Sequence, residues 1–150
     1  MSSGQPGFDG VATFFTVRTV AHVPAAVFAA FADGARLARW WGPSGFRNTF
    51  EVFEFVAGGA WVFAMHSPDG KAYPNRSRFE AVEPNSKVVV RHESAPEFTL
   101  TVTLAPEGAG TVIRWEQRFD SPQVAAGIRQ VVEPANEQNL DRLEAELAGR

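Results

Sequence analysis

From Ser121 to Arg150, Ile128, Val132, Asn136, Leu140, Leu143 and Leu147 recur at steps of three and four, which places them on one face of a helix. Arg129, Glu133, Glu137, Asp141, Arg142, Glu144 and Glu146 largely occupy the rest of the circumference. A stripe of this kind needs a covering surface, so the preceding chain must be shaped to receive it. Two residues break the pattern. Pro134 lacks an N–H and predicts a division of the helix near Val132 to Glu133, leaving Pro134 to Leu147 as the gripped part. Asn136 puts an amide on the apolar stripe, where it becomes a candidate ligand contact.

Elsewhere the period is two. Thr13 to Val20, rich in Phe, Val and Thr, predicts a first strand after a disordered segment over residues 1–12. Pro24 opens a short helix with Val27, Phe28 and Phe31 on its buried face, and Asp33-Gly34 stops it. A second short helix, about Ala35 to Trp41, ends at Gly42-Pro43. Strands follow, separated by Gly58-Gly59, Pro68-Asp69-Gly70, Pro84-Asn85-Ser86, Ser94 to Pro96 and Pro106 to Gly110. Their alternation sets Trp61, Phe63 and Met65 inward, with Asn75, Ser77 and Phe79, then Val88, Val90 and His92. The series continues with Phe98, Leu100, Val102 and Leu104 and ends with Ile113, Trp115, Gln117 and Phe119. Threonines and charged residues take the other face. Tight reversals between neighbours imply an antiparallel meander of about seven strands. The predicted class is α+β, one domain over residues 13–150, with a curved sheet and two short helices wrapped around a long C-terminal helix.

Composition sharpens this picture in one respect: thirteen Phe and four Trp stand against a single Tyr, which suits an unusually apolar interior or an aromatic-lined cavity. A length of 150 residues fits one domain with a real core. The net charge of -3 and the scattered Lys and Arg leave no basic surface for nucleic acid. The absence of cysteine removes disulfides and thiolate chemistry. No apolar run approaches the ~20 residues that span a bilayer, and Met1 to Gly10 does not read as a leader, so a cytoplasmic protein without membrane partners is expected.

Trp40-Trp41-Gly42-Pro43, Gly58-Gly59-Ala60-Trp61-Val62-Phe63 with Pro68-Asp69-Gly70 behind it, Gly110-Thr111, and Leu140-Asp141-Arg142-Leu143 together resemble the SRPBCC superfamily. More narrowly, they resemble the family named after the activator of the heat-shock protein 90 ATPase. The likeness spans about Thr13 to Leu147. It implies a helix-grip fold with a hydrophobic cavity between sheet and C-terminal helix, as in lipid-transfer, polyketide cyclase and birch-pollen-allergen-like relatives. It does not imply a single activity. One position departs: many relatives carry a Trp one turn before the Leu-Asp-Arg-Leu run, where this chain has Asn136.

Catalytic signatures are few. Gly42-Pro43-Ser44-Gly45 lacks the spacing of a nucleophile elbow, and no glycine-rich phosphate loop follows a strand. His22, His66 and His92 lack metal-ligand spacing, so neither a metal nor a cofactor is expected. His92, inward by strand parity, is the weak candidate for an acid or base; its ordinary alternative is a hydrogen-bonded core histidine. The expected function is binding of a small, largely apolar ligand, lipid or polyketide-like. Trp61, Phe63, Met65, Phe79, Trp115 and Phe119 are its expected walls, with Val132 and Leu140 from the helix. Asn75, Ser77, His92, Gln117 and Asn136 would orient its polar end, since buried polar groups need partners. Of Trp40 and Trp41, one is expected to close the core and the other to flank the cavity entrance. Two other readings stay open, a cyclase or dehydratase using His92 and a co-chaperone-like module. A chaperone or a second copy of the chain stays open as a partner.

Overall fold

A computed structural model describes residues 7–149. Strands β1 (Gly7–Phe8), β2 (Thr13–Val20), β3 (Arg47–Phe53), β4 (Ala60–His66), β5 (Ala72–Glu83), β6 (Lys87–His92), β7 (Phe98–Glu107) and β8 (Gly110–Phe119) form one antiparallel sheet. Its order is β1-β2-β8-β7-β6-β5-β4-β3, so the first long strand closes against the last and the rest is a meander. Helices α1 (Pro24–Ala32) and α2 (Gly34–Trp40) lie between β2 and β3, and α3 (Pro122–Leu147) ends the fold. This is the α+β helix-grip arrangement expected from the pattern.

Three details differ from the sequence expectation. The sheet has an eighth strand, because Gly7–Phe8 pairs with Phe14 and Phe15 of β2 inside the segment expected to be disordered. Asp9 secures the turn after it, its Oδ1 accepting from the amides of Val11, Ala12 and Thr13. The remainder of that disorder expectation, residues 1–6, lies outside the described residues. Second, α3 is continuous through Pro134. Proline forfeits one backbone hydrogen bond, whereas packing on both sides holds the helix: Ile128 and Val132 against one apolar cluster, Leu140, Leu143 and Leu147 against another. Third, Asp33 does more than stop α1. Its carboxylate accepts from the amides of Ala35 and Arg36 and so starts α2.

The inward residues assemble two apolar clusters. The larger is built from α1, α2, the second half of α3 and the inner face of the sheet, including Trp40, Trp61, Phe79, Val102, Ile113, Trp115, Leu140 and Leu143. The smaller joins Ala12, Phe14, Phe119 and Ala125 with the partly buried Phe8, Phe98, Ile128 and Val132 at the start of α3. Two glycines of the sequence motifs permit close backbone approach: a Cβ on Gly59 would overlap the Glu54 carbonyl, and one on Gly110 the Val20 carbonyl. Bulges interrupt the ladder between Phe50 and Val52 and between Phe79 and Ala81, so Phe50 and Phe53 both reach the core although three apart in a strand.

Polar contacts lock α3 onto this frame. Arg18 of β2 donates from Nη1 to Asp141 at 2.6 Å and Glu144 at 2.9 Å, and from Nη2 to Glu137 at 2.8 Å. Burial opposes its charge, but the bonds to Asp141, Glu137 and Glu144 prevail and hold it above the usual arginine range. Glu146 is bound from the other side by Arg36 and Arg39, each at 2.9 Å.

Arg142 corrects the expectation that it belongs to the solvated circumference of the helix. Its Nη1 donates to the carbonyls of Trp41 (2.8 Å), Gly42 (3.1 Å) and Pro43 (2.9 Å), and its Nη2 to those of Arg39 (2.7 Å) and Phe46 (2.8 Å). These carbonyls come from the end of α2 and the loop to β3, which helical hydrogen bonding leaves unsatisfied. The guanidinium fork spans them all from one stem. With no carboxylate bonded to it, burial lowers the Arg142 pKa.

Candidate functional site

Between the two apolar clusters lies a cavity of about 270 Å³, bounded by the inner faces of β4 to β8, the loop after α2 and the middle of α3. The helix supplies Ala135, Asn136 and Asn139 here, residues too small or too polar to fill the space against the sheet. That local change on an otherwise apolar stripe explains why the core opens at this level.

The structure brings most of the sequence-nominated residues to this cavity. Trp61, Phe63, Met65, Trp115 and Phe119 form apolar wall, Trp41 closes one end, and Val132 and Asn136 face it from α3. Asn75, Ser77, His92 and Gln117 line it as well. Trp40, Phe79 and Leu140 do not; each is 0 to 1% exposed within the larger cluster. The two adjacent tryptophans thus separate. Trp40 is core, its Nε1 donating to the Ala30 carbonyl at 3.0 Å, whereas Trp41 meets Trp61 and Trp115 with ring centroids 5.0 and 5.8 Å away. Val90, Phe98 and Leu100 also line the cavity, as inward residues by strand parity. Gly42, Pro43, Pro96 and Asn139 carried no such signal, because loop placement and the rotation of α3 bring them in.

Polar side chains form two small networks within this apolar wall. On the helix side, Asn136 Nδ2 donates to Gln117 Oε1 at 3.1 Å, and Asn139 Oδ1 accepts from the Gly42 amide at 3.2 Å. Gln138 Oε1 likewise accepts from the Ser44 amide at 3.1 Å, so Gln138, Asn139 and Arg142 together tether the loop that ends the cavity. On the sheet side His92 is 7% exposed and stacked on Phe98, with centroids 4.4 Å apart and planes 10° apart. Its Nδ1 lies 3.1 Å from the Pro96 carbonyl and its Nε2 lies 2.6 Å from Asn75 Oδ1. His66 sits outside the cavity, 2.9 Å from the Thr49 hydroxyl, and the backbone carbonyl of His22 accepts from Thr111. Among the described residues no cluster of His, Asp or Glu could hold a metal ion.

Burial pushes His92 below the ordinary imidazole range, outweighing the acceptors around the ring. The native state therefore binds fewer protons at this site than the unfolded chain below about pH 6.5, and folding stability falls on acidification from there. Urea unfolding should show this as a loss approaching at most about 1.4 kcal/mol per pH unit, diminished in His92→Gln. An identical pH slope in the variant would remove the assignment.

A curved antiparallel sheet closing on a long C-terminal helix, with a cavity at their seam, defines a helix-grip module. The chain belongs to the activator of Hsp90 ATPase homolog 1-like family, whose model matches residues 21–148. Among solved structures, an Arthrobacter aurescens protein superposes with a TM-score of 0.89 at 22% identity, over 97% of this chain and 92% of that one. Protein Ms6760 from Mycobacterium smegmatis gives 0.84 at 19% identity, covering 98% of each chain. The AHSA1 protein SPO3351 from Silicibacter pomeroyi gives 0.73 at 23% identity, over 91% of this chain and 98% of that one. At these identities the likeness concerns the fold. Among curated proteins no significant match is found. Among the described residues, no helix is long and apolar enough to cross a membrane.

Proposed function

We propose that the chain binds a small, largely apolar ligand in the cavity between the sheet and α3. The observation that carries this reading is the cavity itself: about 270 Å³ of space, walled by tryptophan and phenylalanine, with a few polar groups converging on it. A core built for stability alone would fill such a volume, since unfilled space forfeits packing energy. The size lies just under the ~300 to 1,000 Å³ of pockets for drug-sized molecules, which favours compact ligands over sterols or diacyl lipids. A cyclase or dehydratase role for His92 has less support, because both ring nitrogens are already engaged by Pro96 and Asn75.

Native mass spectrometry of the purified protein, with thermal shifts against fatty acids, sterols and aromatic polyketides, tests the reading. A compact aromatic ligand at about a hundred times its Kd should stabilise the fold by about 2.7 kcal/mol, a rise of roughly 5 to 10 °C in Tm for a domain of this size. No bound mass and no shift with any class would refute it.

A further inference from the structure

Several polar groups on the cavity wall are left open by the protein itself. Asn139 is 6% exposed and its orientation is fixed: the Gly42 amide can only donate, so Oδ1 accepts from it at 3.2 Å and Nδ2 points elsewhere. That Nδ2 has no hydrogen-bond partner among the described residues, yet it is not sealed from open space as the Thr16 hydroxyl is. The Ser77 hydroxyl on β5 is in the same situation, in a residue 2% exposed. Since both residues are otherwise enclosed, the open space they meet is the cavity they line. Asn136 and Gln117 add one donor and one acceptor. With Asn136 Nδ2 donating to Gln117 Oε1, Gln117 Nε2 and Asn136 Oδ1 stay unpaired among the described residues. Turning both amides over would reverse that bond and still leave one N–H group and one carbonyl oxygen. Residues 136 and 139 are neighbours on one face of α3, so these groups form a single polar edge opposite the aromatic wall.

The edge carries no charge. No Asp, Glu, Lys or Arg lines the cavity. His92 is occupied by Pro96, Asn75 and the Ser94 hydroxyl, and burial favours its neutral form. Behind the wall, Arg91 is paired with Asp120, Arg78 with Glu93 and Arg129 with Glu133, while Arg142 is turned to five backbone carbonyls. A charged head group would therefore enter without a counter-charge, which costs far more than burying a hydrogen-bonded neutral group. A bare hydrocarbon fails for another reason. It would displace the water that can reach these amides and leave them unpaired.

Resting on the binding function proposed above, we infer that the cavity takes a compact, uncharged ring molecule bearing a carbonyl beside an N–H or O–H, held by Asn139 Nδ2 and by the open donor and acceptor of the Asn136–Gln117 pair. Asn139 donates to the carbonyl, and the amide oxygen of the pair accepts from the ligand's N–H or O–H. The ring lies against Trp61, Phe63 and Trp115, and the Ser77 hydroxyl can serve a second polar substituent as donor or acceptor. A volume of about 270 Å³ keeps the ring system small.

Calorimetric titration of the full chain with 2-naphthamide, 2-naphthoate and 2-methylnaphthalene tests this assignment, since the three share one ring system and differ in the head group. The amide should bind roughly tenfold tighter or more than either of the others. Asn136→Leu should cut its advantage over the hydrocarbon severalfold. In ¹H–¹⁵N spectra of the unaltered protein, the side-chain NH₂ signals of Asn139, identified by their proximity to the Gly42 amide, should move further downfield with naphthamide than with methylnaphthalene. This readout stands even if Asn136→Leu does not fold. Naphthoate binding as tightly as the amide, the hydrocarbon matching it, an undiminished advantage in Asn136→Leu, or equal shifts of the Asn139 signals would each overturn the neutral head-group assignment while leaving the cavity a binding site. Binding of none of the three probes would remove both readings.

Discussion

Replacing Arg142 by Met is expected to lower stability by about 3 to 4 kcal/mol, seen as a fall in Tm of roughly 10 °C. The aliphatic stem is largely retained, so the loss isolates the guanidinium and its five carbonyl acceptors on Arg39, Trp41, Gly42, Pro43 and Phe46. Bonds from a charged donor contribute about 1.5 to 3 kcal/mol each when counted singly; the site is partly open to water and the bonds share one group, so their sum is discounted. Arg142→Lys should recover less than half of the loss, because a point ammonium with three donors cannot reproduce a planar fork. Hydrogen exchange gives the local readout. The amides of Gly42 and Ser44, held by Asn139 and Gln138, should exchange faster in Arg142→Met than in the parent. Because Trp41, Gly42 and Pro43 wall the cavity, the same variant should reduce any ligand-induced rise in Tm. Unchanged stability with unchanged exchange would show that the loop holds itself.

Trp40→Ala is expected to cost about 3 to 5 kcal/mol, the range for deleting a buried aromatic side chain. Trp40 is 1% exposed, packs edge-on against Phe31 and Trp41 with centroids 4.9 and 5.6 Å away, and donates to the Ala30 carbonyl near the end of α1. Truncation removes apolar contacts, leaves that carbonyl unpaired and opens a void where α1 and α2 meet the sheet. Trp40→Phe should lose less, retaining ring packing but forfeiting the hydrogen bond. The measurement is chemical unfolding, with the ligand response read alongside it. Trp41→Ala instead enlarges the cavity end, so it should alter ligand selection more for each kcal/mol of stability lost. A Trp41 variant that loses stability while binding the same ligands equally well would contradict this division of roles.

The contrast between these neighbours shows where sequence reading stops. Their adjacency at the end of a short helix, Trp40 as its last residue and Trp41 as the extended residue after it, says that they point in different directions. It does not say which direction meets the core, because that depends on how α2 is rotated against β3 and α3. Strand parity travelled much further. Asn75, Ser77, His92, Trp115 and Gln117 were identified as inward by alternation alone and all face the cavity, since a pleated strand sends successive side chains to opposite faces whatever surrounds it. Phe79 was inward by the same rule yet lies outside the cavity, packed on Trp61, Phe53 and Phe55 in the full part of the core. Parity gives a face, and it gives no depth along that face.

By itself the sequence determined the order of elements, the antiparallel meander, the grip on a C-terminal helix and the polarity of each face, all properties of neighbours a few residues apart. Tertiary structure decided what depends on distant partners. It carried α3 unbroken through Pro134, because packing on both sides outweighs one missing N–H. It recruited Gly7–Phe8 as an edge strand and turned Arg142 from a surface charge into the tie of a loop. It also left about 270 Å³ open where Ala135, Asn136 and Asn139 face the aromatic wall. Hydrophobic periodicity marks which residues leave water, but whether they meet closely or leave space between them is fixed by the register and separation of sheet and helix.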